Sequence, residues 1–186
     1  MKNIAKLLGV FLSILMVSCI GPSGRDGFDG IDGIDGIDGD LFEAEAFEIN
    51  VDMTLNTNTN TYEYLASEYS NGVTVLNSDV VLIYRLEEQT VDGTDVWRQL
   101  PQPVVTDNGT AFFNFDFTSI NYSIYLEPEF DATLAGLDLT EDQWFRIVIV
   151  PATLLNSGAI DNTNLSTLLN SMGIKEVDVQ SFNLQY

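Results

Sequence analysis

The sequence predicts an all-β fold: an antiparallel β-sandwich with one short helix near the C-terminus, preceded by a signal peptide and a Gly-X-Y tether. Three observations predict it. After residue 41, apolar and polar residues alternate in repeated short runs; Asp-Gly and Asn-Gly dipeptides separate several of those runs; and glycine stands at every third position from Gly21 to Gly39. These textures divide the chain into residues 1–18, 19–40 and 41–186.

The first segment opens with Lys2 and Lys6, and "LLGVFLSILMV" follows them. About ten apolar residues match the core of a signal peptide and are too few to span a bilayer. The run ends at Ser18-Cys19, and "MVSC" resembles the lipobox of bacterial lipoproteins, which implies cleavage before Cys19 and its acylation with palmitate-type chains. Cys19 is the only cysteine, so a secreted form has no internal disulfide. Several acyl chains, at about 0.8 kcal/mol per buried methylene, hold such a protein to a membrane. Electrostatics do not: 7 Lys and Arg stand against 28 Asp and Glu, a formal net charge of -21, which opposes anionic lipid surfaces and nucleic acid alike.

Residues 21–41 form seven triplets, GPS, GRD, GFD, GID, GID, GID and GDL. Glycine at every third residue is what a collagen triple helix requires, because only glycine fits at its axis. Pro22 is the single proline here, and six aspartates face one Arg25. Three aligned chains would bring together like charges, so a solvated spacer is favoured over a homotrimer, with the triple helix kept as an alternative. Extended at roughly 3.1 Å per residue, some 20 residues reach about 60 Å. The Asp-Gly repeats offer oxygens suited to calcium, but their spacing fits neither the EF-hand loop nor the nonapeptide repeat.

Beyond Leu41 the strands are read in order. Phe47, Ile49, Val51, Met53 and Leu55 share one face of a first strand, and Thr and Asn at 56–61 make a loop. Further strands are expected near 62–69, 73–76 and 79–88. Asp92-Gly93 separates "VVLIYRLEE" from "DVWRQL", and Asn108-Gly109 separates "PQPVV" from "TAFFNFDF". Both dipeptides favour tight hairpins, hence antiparallel neighbours. Phe113, Phe115 and Phe117 share a face, and Tyr122, Ile124 and Leu126 continue the pattern. "QWFRIVIVP" is apolar on both faces and reads as a central, doubly covered strand ended by Pro151. Asp161 or Asn162 is the expected cap of a helix with Leu165, Leu168, Leu169 and Met172 on one side and Gly173 at its end. "IKEVDVQSFNLQY" supplies a last strand. Seven to nine strands make the sandwich.

The chemistry is bounded by what is missing from the composition. Histidine is absent, which removes His-dependent triads and His metal sites. No two glycines stand two apart, so GxGxxG does not occur, and neither does GxxxxGK[ST]. No catalytic residue, metal ligand or cofactor is assigned. Carboxylate pairs are the one enzymatic option: Glu127 and Glu129 in "YLEPEF" are the nominees for a glycosidase acid and base, and Glu87 and Glu88 are read as hairpin charges. Trp97 and Trp144 are candidates to stack on a sugar, although their strand patterns also suit packing.

The lipobox, the Gly-X-Y run, and then "GDLFEAEAFEINVD", "SDVVLIYRLEE", "VDGTDVW", "FNFDFT" and "FRIVIVPA" together resemble small collagen-like lipoproteins of Gram-negative bacteria. The resemblance implies an outer-membrane location and no assigned activity. Some relatives carry the label dihydrolipoamide dehydrogenase, which a chain without a cysteine pair or GxGxxG contradicts. The expected function is therefore a lipid-anchored, non-enzymatic module contacting a protein or glycan; a carboxylate-dependent glycoside hydrolase is the alternative.

Overall fold

The computed structural model describes residues 45–69, 73–157 and 164–184. The chain falls into two units, Met1–Ile37 and Asp38–Tyr186, and all described residues lie in the second. The expected signal peptide, Cys19 and the Gly-X-Y run lie outside the described residues.

Ten strands form two five-stranded sheets, a β-sandwich. Sheet A has the order β10-β1-β9-β4-β5, with β1 Glu45–Val51, β4 Val80–Gln89, β5 Asp95–Gln99, β9 Gln143–Val150 and β10 Gln180–Asn183. Sheet B has the order β2-β3-β8-β7-β6, with β2 Thr54–Asn56, β3 Thr61–Leu65, β6 Gln102–Thr106, β7 Gly109–Phe117 and β8 Tyr122–Pro128. Three short α-helices lie among them: α1 Leu137–Thr140, α2 Ala152–Ser157 and α3 Leu165–Ser171.

Alternation explains the core. Ile49 and Val51 of β1, Val81 and Ile83 of β4, and Phe145, Ile147 and Ile149 of β9 point from sheet A into the interlayer, where each is almost wholly buried. Ala111 and Phe113 of β7 and Tyr122, Ile124 and Leu126 of β8 meet them from sheet B. Aromatic rings join the layers. Phe113 and Phe145 meet edge to face with centroids 6.1 Å apart, and Phe47 meets Tyr122 at 6.3 Å, geometries preferred by ring quadrupoles.

The hairpins form where the dipeptides stand. Gly93 (φ 83°) turns β4 into β5, and Gly109 (φ 134°) turns β6 into β7; both φ values lie where a Cβ is penalised. Asn60 (φ 58°) closes β2–β3. Its side chain donates to Phe130 O at 2.7 Å and accepts from Ala132 N at 2.8 Å, pinning the long connection from sheet B back to sheet A.

Several elements differ from the sequence expectation. The first strand is two: β1 belongs to sheet A and β2 to sheet B, and the chain crosses at Asp52-Met53, where Met53 N donates to Thr140 O and Asp52 Oδ1 accepts from Asp142 N. Residues 73–76 form no strand; Val75 is buried, but its backbone has no neighbouring strand to pair with. Among the described residues two further short helices, α1 and α2, join the expected helix, which is α3. Asn164, rather than Asp161 or Asn162, caps α3, in a reciprocal box with Thr167, while Leu165, Leu168 and Leu169 bury as the spacing predicts and Gly173 follows at φ 76°. In the last segment Glu176–Asp178 is a 3₁₀ turn, and only Gln180–Asn183 pairs, parallel to β1.

Tyr69 links this core to pH. It is 5% exposed, its hydroxyl donates to Thr118 O at 2.8 Å, and burial pushes its pKa up to about 12. In the unfolded chain the phenol ionises near pH 10, so above that pH the unfolded state sheds a proton that the folded state keeps. The contribution is complete below pH 10 and is lost as pH rises towards about 12. The denaturation midpoint should fall across this window and fall less steeply in Tyr69→Phe, with Tyr84, also raised by burial, keeping part of the slope. An unchanged slope in Tyr69→Phe would remove Tyr69 from this role.

Candidate binding groove on the outer face of sheet A

Register places two rows of side chains across the face of sheet A that points away from sheet B. One row runs Ser181, Glu48, Arg146, Tyr84, Gln99. Beside it, Asn183, Asn50 and Trp144 lie in line on β10, β1 and β9, and Leu86 faces Trp97 across β4 and β5. Helix α3 sits over one end of this face, where Leu165, Leu168 and Leu169 pack on Tyr84, Val148 and Val150. The other end is open.

Arg146 organises the boundary between the covered and open ends. It is 4% exposed. Its Nε and Nη2 donate to Glu48 Oε1 at 3.0 and 2.6 Å, and its Nη1 donates to Glu176 Oε1 at 2.9 Å. The second Glu48 oxygen accepts from Ser181 Oγ at 2.8 Å. A buried guanidinium held by two carboxylates meets the cost of desolvation that an unpaired one would not. The same guanidinium lies 4.4 Å from the centroid of Trp97, a cation–π contact that fixes the indole.

The open end is a groove of about 280 Å³ with Trp97 and Trp144 among its walls and Glu48, Gln89, Asp95 and Ser181 at its polar margin. Asp95 accepts from Gln89 Nε2 through Oδ1 at 2.7 Å. A larger cleft of about 390 Å³ on another flank of Trp97 is bounded by Tyr84, Pro101, Gln102, Asn164 and Leu165. The Trp97–Trp144 groove is the one that brings both tryptophans together.

The residues nominated from sequence separate in space. Trp97 and Trp144 share the groove. Glu127 stands exposed on the outer face of sheet B, accepting from Asn114 Nδ2 at 3.1 Å, and Glu129 is exposed just past the end of β8. Glu87 pairs with Arg98, and Glu88 is exposed. Glu48 and Asp95 went unnominated, because only the pairing of β1, β9, β4 and β5 carries them to the tryptophans. Among the described residues no three His, Cys, Asp or Glu side chains form a metal-binding group, and no helix is long and apolar enough to cross a membrane. A second buried cation, Arg85, lies at the end of the interlayer, 4.3 Å from the Phe113 centroid, with its Nε donating to Gln143 Oε1 at 2.9 Å. Burial lowers its pKa, and the nearby Asp138 opposes that shift.

Comparison with protein-family models, curated proteins and solved structures finds no match for this chain.

If Arg146 is the organiser, Arg146→Leu should cost about 3–5 kcal/mol in denaturant unfolding, because it leaves Glu48 half-enclosed without its cation. Adding Glu48→Gln should return part of that loss. Strict additivity of the two changes would show that the pair is not coupled.

Proposed function

We propose that this chain is a lipid-anchored protein of the outer membrane that displays a non-enzymatic β-sandwich binding module on a Gly-X-Y spacer, in the manner of small collagen-like lipoproteins. The observation that carries the reading is the convergence of Trp97 and Trp144, the only two tryptophans in the chain, on one groove. Tryptophan on an open sheet face is costly to leave in water and suited to a partner that is apolar on one side and polar on the other. A glycosidase would need two carboxylates about 5 to 10 Å apart, one of them in an apolar setting; Glu127, Glu129, Glu87 and Glu88 occupy exposed or ion-paired positions instead. The anchor is Cys19, and residues 19–40 hold the module away from the lipid as a monomeric tether. The ligand is a protein or glycan group, and the excess of acid disfavours nucleic acid.

Two measurements test this. Cys19→Ser should leave the protein unprocessed or soluble, whereas processing at residue 18 with retention in salt-washed membranes would mean another anchor. A photocrosslinker at Gln89, on the groove margin, should give a discrete adduct in cells, and the same group at Val105, 84% exposed on β6, should not. Equal labelling at both positions would count against the groove.

A further inference from the structure

We propose that the groove between Trp97 and Trp144 receives a cationic side chain, arginine or lysine, from an extended segment of a partner protein. The proposal rests on the binding-module reading and names its ligand. Charge is the first argument. Glu48 and Asp95 line the groove and no lysine or arginine does; the Glu48 oxygens are taken by Arg146 and Ser181, while Asp95 Oδ2 has no partner among the described residues. An acidic ligand would also face the field of a chain with 28 acidic residues against 7 basic ones.

The aromatic walls suit the same ligand. A guanidinium or ammonium within about 6 Å of an indole centroid is attracted by the ring quadrupole, and Trp97 already holds Arg146 in that arrangement at 4.4 Å. Size adds a third argument: at about 280 Å³ the groove is smaller than most pockets that enclose whole ligands, and it suits one side chain better than an oligosaccharide. Position explains why the cation belongs to a polypeptide. Asp95 and Trp97 stand on β5, the outermost strand of sheet A, whose far edge has no strand neighbour among the described residues. An extended segment can add to such an edge through its backbone and direct alternate side chains onto the sheet face.

The full-length protein in uncharged detergent micelles provides the test, read by tryptophan emission, because both tryptophans line this groove and Trp144, unlike Trp97, does not line the larger cleft. The probes are a heptapeptide alternating threonine and arginine, the same peptide with citrulline for arginine, and a neutral oligosaccharide. The arginine peptide should shift the emission, and its affinity should fall about tenfold with citrulline and in Asp95→Asn, and fall again with rising salt. Trp144→Phe, which preserves packing and leaves Trp97 as reporter, should weaken binding similarly. Equal binding of the citrulline peptide, or a response to the oligosaccharide alone that Trp144→Phe abolishes, would overturn the cationic ligand and leave the binding module standing. No response to any probe would remove both.

Discussion

Strand β9 lies at the centre of sheet A and is buried on both faces, so it requires two covers. Sheet B supplies one, against Phe145, Ile147 and Ile149. The other face carries Val148 and Val150, which α3 covers, and then Arg146 and Trp144, which it does not reach. The lengths explain the shortfall. A seven-residue helix is about 10 Å long, whereas an eight-residue strand extends about 26 Å. The uncovered part is closed by a different device, a guanidinium clamped between carboxylates and roofed by an indole. The groove is the remainder of an incomplete cover.

Much of this was legible in local sequence. Alternation places Phe113 of β7 and Tyr122, Ile124 and Leu126 of β8 inward, though Phe117 at the end of β7 is exposed. Strand β9 is covered on both faces as its apolar run requires, the Asp-Gly and Asn-Gly turns sit at their hairpins, and the Leu165–Leu168–Leu169 face packs as its spacing requires. What escaped depends on distant partners. The alternation from Phe47 to Leu55 runs unbroken through the crossing at Asp52-Met53, so nothing local marks the change of sheet. Val73 and Val75 read as a strand because they pack on the core, yet a strand also needs a neighbour. The two tryptophans lie 47 positions apart, and their meeting is decided by β4 standing between β5 and β9. No spacing rule connects Glu48 or Asp95 to them.

The distribution of charge follows from the same arrangement. Four basic residues lie beyond residue 41, namely Arg85, Arg98, Arg146 and Lys175. Two of these are spent inside the domain, Arg85 against Phe113 and Arg146 against Trp97. The exterior is left with few cations among many carboxylates, so the surface is more acidic than composition alone implies. Copies of the protein repel one another at low ionic strength.

The place of β1 in sheet A has a mechanical consequence. This strand is the first of the described strands, and it is hydrogen-bonded to β9, which is bonded to β4, which is bonded to β5 and the groove wall. Three interstrand steps of about 4.8 Å separate β1 from the strand that carries Trp97. In the anchored module proposed above, a load entering at β1 and leaving at the groove would run sideways through one continuous hydrogen-bonded ribbon. The second sheet lies to one side of that line and supports the ribbon through the packed interlayer.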